Sequence, residues 1–521
     1  MSLLVLTHAV RIRDRSAFAR VQVAAIGFRV MRGDRWFSTC FWVCCASIAV
    51  PLWTVEYLPM ADLPQHAAQI SIWTRWNDPA FGYQEIYAQN WFTPYLFGYL
   101  LTFLLTPFMS VQAALTTVIT ASLIGIPLAT RLLIREVDGN RWWVFAVFPC
   151  VFGFAFDWGF YNFLAGIPVA LVLVLLALRF AARPTLFGGV VLSLGMAGLF
   201  FVHVLLFAYV SVIFGLTVLL EWGGWRRVST TLFPVLVLVP MVLFWLYVTR
   251  DSEAMTHRAA MWELREQALE GHRLVRFFAE VAGDRLTAWT FAVGFSLFVL
   301  PLLLGARPSR STRRWLPFGV TLLAYFAVPH EFLGTAFLYS RYAIFAIPTW
   351  LYAMERDPEH SPPSLRLVIG PALAVAWVIA TTFQFWLYEP EVAGLAKVIE
   401  KMPANARVLS VPIERNSIYM RTPVFLHTPL WYQAEKGGIV DFSFAINFPP
   451  LFRYRPEHEP KIPRLFVWDT RLFNWGAFDG SRYDYLIVRK LHEVPSALIA
   501  ESDAPVSFVG NVGPWQLFKK D

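Results

Sequence analysis

Asp62 and His66 stand four residues apart, just beyond the first long apolar run of a 521-residue chain, with Pro59 and Pro64 on either side of the acid. A helix opening near Pro64 sets the carboxylate and the imidazole at neighbouring positions. Such a pair can take up and orient a proton, and the chain around it carries few other charges. A plainer account makes Asp62 a helix cap and His66 a solvated side chain at a membrane surface. The local sequence supports the two accounts equally.

Other polar groups fall between apolar runs further along. They are Asp157 and Asn162 in the stretch Asp-Trp-Gly-Phe-Tyr-Asn, His203 between two apolar runs, His330 with Glu331, and Arg341 flanked by Tyr339 and Tyr342. A guanidinium at the end of an apolar run can bind a phosphate bidentately, or it can simply snorkel to the interface. Loop polarity alone accounts equally for Asp157 and Asn162.

The elements that must position these groups follow from composition. The chain is 57% hydrophobic, 17% aromatic and only 15% charged, with a mean hydropathy of +0.51. Its apolar runs have the length of membrane spans, so an all-α polytopic membrane protein is expected. The net charge of +8 comes from arginines in short loops. That pattern marks cytoplasmic loops and calls for no nucleic-acid partner. The cysteines Cys40, Cys44, Cys45 and Cys150 all lie in expected spans, and neither a disulfide framework nor a thiolate metal site is expected.

Residues 1–35 carry seven arginines, from Arg11 to Arg35, before any long apolar run and read as a cytoplasmic tail, with Met31 as an alternative start. The stretch 70–91 is aromatic and amphipathic, and 94–108 is apolar but bounded by Pro94 and Pro107. If 94–108 crosses the membrane, the loops holding Arg131, Arg135, Arg141, Arg226, Arg227 and Arg307 to Arg314 all fall outside. If it lies in or dips into the outer interface, every one of them becomes cytoplasmic. The second arrangement gives about eleven spans: 36–55, 111–133, 142–156, 163–181, 186–202, 204–222, 229–249, 288–305, 315–329, 341–354 and 366–387. Asp62, Asp157, His203, His330 and Arg341 then share the non-cytoplasmic face, and ionisable groups gathered at one membrane face point to a site there.

The membrane part therefore runs over 36–387, with a first outer loop over 56–110, and the chain turns polar from Tyr388. An α/β domain over 388–521 is expected, with a helix over 392–401, strands over 407–412 and 485–488, and a hairpin of 507–512 with 515–518. A long outer segment, 253–280, holds His257, Arg258 and His272 and reads either as a lid or as a surface helix.

Mid-span positions are almost wholly apolar, which disfavours transport along a polar path. No phosphate-binding glycine loop, His-Glu-x-x-His or Gly-x-Ser-x-Gly motif occurs. A group-transfer enzyme at the outer face needs an activated donor carried by the membrane itself.

The stretch Ala61-Asp62-Leu63-Pro64-Gln65-His66, with 157–163, Phe201-Val202-His203 and Tyr339-Ser340-Arg341-Tyr342, resembles the GT-C superfamily of integral membrane glycosyltransferases, in its uncharacterised bacterial branch. The resemblance covers the whole chain in architecture and rests on short local motifs. It implies a sugar donor linked to polyprenyl phosphate, a glycan, lipid or protein acceptor, and a bacterial inner membrane with the C-terminal domain in the periplasm. It implies Asp62 as general base acting with inversion, His66 orienting it or the acceptor, and Arg341 on the phosphate, joined by His330 and Glu331. Asp157, Asn162 and His203 would complete the substrate site. The extended acidic metal motifs and the Trp-Trp-Asp signature of the oligosaccharyltransferase branch are absent, so no metal ligands and no cofactor are assigned. A ligase-like transferase of an assembled polyprenyl-linked glycan, or a non-catalytic scaffold for envelope assembly, are the alternatives.

Overall fold

The computed structural model describes residues 35–249, 272–283, 287–331, 335–358, 367–446, 450–462, 466, 468–491, 499 and 504–521. The tail before Arg35, the alternative start at Met31, His257, Arg258 and most of the 253–280 segment lie outside them.

From the N-terminus the longer helices are α1 (Arg35–Leu52), α2 (Leu63–Thr74), α3 (Leu96–Leu105), α4 (Val111–Glu136), α5 (Tyr161–Ala182), α6 (Leu186–Val202) and α7 (Val204–Leu220). They continue with α8 (Trp225–Leu236), α9 (Val239–Thr249), α10 (Ala288–Leu303), α11 (Thr312–Ala327) and α12 (Ile369–Glu400). Among the described residues α1, α4, α5 and α12 are long and apolar enough to cross a bilayer, and the α8–α9 pair, bent by 43°, makes a fifth if taken as one span. Four further apolar helices (α3, α6, α7 and α10) are shorter.

The region expected to span at 142–156 instead winds as a 3-10 helix, Arg141–Phe152, buried from Trp142 onward. At about 2.0 Å per residue its twelve residues reach about 24 Å. The region at 341–354 is likewise split, a 3-10 turn (Ser340–Phe345) leading into a short α-helix (Ala346–Tyr352). Composition sees apolar length and cannot see winding. Helix α3 has ten residues and a length of about 15 Å, half of a hydrocarbon core. Between α6 and α7 the sharp turn expected at His203 is present: its Nδ1 accepts a hydrogen bond from Leu205 N at 3.2 Å and so caps α7.

Helix α2 departs from the amphipathic juxtamembrane helix expected in the first outer loop. All ten residues from Leu63 to Ile72 are buried, because the membrane helices cover one side and the C-terminal part covers the other. The polar positions of α2 are spent on that second contact. The Gln69 side chain holds Phe452 by both its N–H (2.8 Å) and its C=O (3.1 Å). Arg75 donates to the main-chain carbonyls of Ala434 and Glu435. The 56–110 stretch also lends a strand, β1 (Tyr87–Gln89), which pairs antiparallel with a C-terminal strand at Phe452–Tyr454.

The C-terminal part holds a five-stranded mixed sheet. Its strands are β4 (Arg407–Pro412), β5 (Ile439–Asp441), β7 (Tyr485–Arg489), β8 (Val506–Val512) and β9 (Trp515–Lys520), in the order β5-β4-β7-β9-β8; β2 (Ala306–Pro308) and β3 (Met354–Arg356) pair with each other, and β6 is the Phe452–Tyr454 strand. β4 runs parallel to β5 and β7, while β9 is antiparallel to β7 and β8. The helix expected over 392–401 is no separate element. It is the C-terminal end of α12, whose 32 residues extend about 48 Å as one helix from the apolar segment into the domain. Gly394 lets the sheet approach, since a Cβ there would lie 2.4 Å from Val512 O. The Trp515 indole donates to Glu391 O at 3.0 Å.

Candidate active site

Two corners of chain meet where α2 begins. Ala61 N donates to Asp157 O at 3.3 Å and Asp62 N donates to Trp158 O at 3.0 Å, so the 61–66 and 157–162 stretches are joined through their main chains. The contact depends on Gly159, whose φ of +77° is left-handed and whose missing Cβ would sit 2.9 Å from both Asp62 N and Leu63 N.

Asp62 precedes the first turn of α2, yet its side chain makes no cap hydrogen bond. The carboxylate is therefore free of the structural duty a capping aspartate performs. Burial pushes its pKa up to about 7, against a lowering pull from the Arg341 charge. A carboxylate in that range holds and releases a proton near neutrality.

His66 turns away from Asp62. Its Nδ1 meets the Tyr99 hydroxyl at 2.8 Å, and its ring packs on Tyr161 and Phe444. Burial, then the Arg341 charge, lower its pKa to about 3, so it is neutral at working pH. It acts as a pillar beneath the Gly159 corner, whose main chain it also meets.

Arg341 enters from the 3-10 turn. Its guanidinium stacks over Phe160 at 3.6 Å, Nη2 donates to Ala336 O at 3.1 Å, and the buried Nε has no hydrogen-bond partner. Asp62, Tyr95 and Tyr342 are the groups whose charge reaches it. Among the described residues no carboxylate forms an ion pair with it. His203, fully enclosed, lies in the same electrostatic neighbourhood, between the rings of Tyr95 and Phe163.

The remaining expected residues sit around this centre rather than in it. Asp157 is buried, but its Oδ2 faces Arg421 Nη1 at 3.5 Å, and its main-chain oxygen accepts from Thr422 Oγ1. Asn162 is buried with both amide atoms unpartnered, against Gly98 of α3. His330 packs on Phe337 and Tyr339, and Glu331 is exposed.

The C-terminal part adds a residue that sequence reasoning passed over. His427, buried, brings Nε2 to 3.6 Å from Asp62 Oδ1, while its Nδ1 meets Gln65 Nε2 at 3.0 Å. No local pattern marks it, for it lies 362 positions from Gln65. Gln65 was within reach of a sequence argument, three residues past Asp62 on the same helix face. Among the described residues no three His, Cys, Asp or Glu side chains converge in a way that could hold a metal ion.

The fold of the chain is similar to that in the crystal structure of ArnT from Cupriavidus metallidurans bound to undecaprenyl phosphate. The two share a TM-score of 0.55 over 93% of this chain and 97% of that one, at 11% sequence identity. The likeness is one of fold. No family model matches the sequence, and no curated protein matches it. The likeness in fold covers the helical part and the C-terminal domain together.

Proposed function

We propose that this chain transfers a sugar from a polyprenyl-phosphate donor to an acceptor at the non-cytoplasmic membrane face, with inversion at the sugar carbon. The GT-C fold, with a structural neighbour solved with undecaprenyl phosphate bound, supports a lipid-phosphate substrate. The observation that carries the reading is an acid with a pKa of about 7 close to a buried arginine that has no carboxylate partner among the described residues.

In this reaction the acceptor oxygen attacks the anomeric carbon as the bond from that carbon to the phosphate oxygen breaks. Asp62 takes the acceptor proton. Arg341 receives the charge that grows on the leaving polyprenyl phosphate. Inversion requires the base and the cation to act from opposite faces of the sugar carbon. The acceptor is a glycan, a lipid or a protein.

The test is turnover of a panel of undecaprenyl-phosphate monosaccharides by the full chain in lipid nanodiscs with an envelope extract as acceptor, read as release of undecaprenyl phosphate. Because burial raises the Asp62 pKa, the base is protonated and idle in acid, and the rate should climb as pH rises through about 7. His66 and His427, both lowered to about 3, add no limb near neutrality. No turnover of any donor, together with no binding of undecaprenyl phosphate, would end the proposal.

A further inference from the structure

We propose that His427 is a positioning residue for Asp62: the C-terminal domain presents a neutral imidazole N–H to the carboxylate, in a tautomer that Gln65 dictates. This rests on reading Asp62 as the base.

The tautomer follows from a chain of donors and acceptors. A backbone N–H can only donate, and Phe444 N lies 2.7 Å from Gln65 Oε1, which fixes the orientation of the amide. The Gln65 nitrogen then faces Phe442 O and, at 3.0 Å, His427 Nδ1. An amide NH2 has no lone pair to offer, so Nδ1 must accept and the ring proton must sit on Nε2. That nitrogen is the one facing Asp62 Oδ1, at 3.6 Å. This separation exceeds a hydrogen bond, and catalytic contacts of this kind often tighten only when the reacting groups are engaged.

The surroundings hold the imidazole to this role. It is buried, and burial lowers its pKa to about 3, so it carries one proton and no charge across the working range. A neutral donor steadies the carboxylate and favours its ionised form moderately, where a second cation beside Arg341 would pin it ionised and weaken it as a base. The segment that frames Gln65 is itself held unusually: Phe442 has a φ of +80°, a conformation that bulky residues rarely adopt. The membrane part thus supplies the acid, and the soluble part supplies the group that aims it.

The charged and titratable groups around this pair are Arg341 from the 3-10 turn, His66 on α2, His203 between α6 and α7, and Tyr95 and Tyr99 at α3. None of them is altered in the test. Infrared spectra of the full chain in nanodiscs, titrated with pH and differenced against Asp62→Asn, isolate the Asp62 carboxyl band. His427→Phe keeps a ring and a dry wall but deletes the N–H, and should raise the Asp62 midpoint by roughly one unit. His427→Gln keeps an N–H of similar reach and should stay within a few tenths of wild type. Gln65→Leu frees the tautomer and should fall between them, and it keeps the question answerable if His427→Phe does not fold. A midpoint unmoved in folded His427→Phe overturns the proposal and leaves Asp62 as base untouched. Full turnover by Asp62→Asn would instead remove the base reading, whatever the midpoint does.

Discussion

Asp62 and Asp157 sit on corners of chain that hydrogen-bond each other through their backbones, Asp157 buried and Asp62 partly so. Their surroundings are opposed. Asp157 faces the Arg421 guanidinium, which also donates to Ala282 O and lies over the Trp377 ring. Its charge is answered on the spot, and it ties the membrane part to the C-terminal domain. Asp62 has no cap bond, a neutral imidazole nitrogen 3.6 Å from its Oδ1, and an electrostatic interaction with Arg341. Burial raises its pKa to about 7 against the lowering pull of the Arg341 charge. On the proposed function, two acids from similar-looking sequence corners divide the labour, one holding the architecture and one holding a proton.

Exchanging each acid for its amide tests the division most severely. Asp62→Asn should lower turnover of the lipid-linked donor by roughly 10²- to 10⁴-fold, the usual worth of a general base, with the melting temperature unchanged or raised. Asp157→Asn strands Arg421 beside a neutral group and should cost about 1–3 kcal/mol of stability, with turnover per folded molecule nearly retained. Rates and thermal melts measured side by side decide it. A reversed pattern would exchange the roles of the two corners.

The two arginines extend the contrast at a smaller scale. Arg341 is buried with an unpartnered Nε and stacks on Phe160, whereas Arg421 is committed to Asp157 and Ala282. Arg341→Ala should weaken binding of undecaprenyl phosphate by roughly 10- to 100-fold, the worth of one or two charge-assisted hydrogen bonds. Arg421→Ala should leave that affinity alone and lower stability instead. Native mass spectrometry of both variants with undecaprenyl phosphate reads the difference. Equal losses would mean that the contact between domains, and not the free guanidinium, supports the lipid site.

The parts of this site that were legible in the sequence are the local ones. The acid past the first span, the turn at His203, the arginine at the end of an apolar run and the strand over 407–412 all announce themselves within a few residues. What stayed hidden is long-range or conformational. The pairing of Asp157 with Arg421 spans 264 positions, and periodicity carries no record of it. The return of charge at Tyr388 marks where α12 leaves apolar surroundings but not where it ends, because a helix can change environment without changing its winding. His330 and Glu331 share a loop with Arg341, yet aromatic packing holds His330 elsewhere and Glu331 faces outward. Sequence nearness proved a weaker guide there than the main-chain bonds between distant corners.

Those main-chain bonds suggest the mildest and most local test of the comparison. Gly159 and Gly82 both have left-handed backbones, with φ of +77° and +61°. An alanine at either position carries the conformational penalty of an L residue in that region, about 1 kcal/mol. Only at Gly159 does the new methyl also meet something, namely the Asp62 and Leu63 nitrogens at 2.9 Å, whereas Gly82 has open space within 4 Å. Backbone atoms cannot swing aside as a side chain does, so Gly159→Ala must push the start of α2 away from the 157–162 corner. The Asp62 carboxylate rides on that start. Gly82→Ala should therefore lose about 1 kcal/mol of stability and no turnover per folded molecule. Gly159→Ala should lose about 1–3 kcal/mol and several-fold in turnover per folded molecule. If the two alanine variants behave alike in rate, the distance between the corners does not set the position of the base, and the link between architecture and chemistry at Asp62 must run through its side-chain neighbours alone.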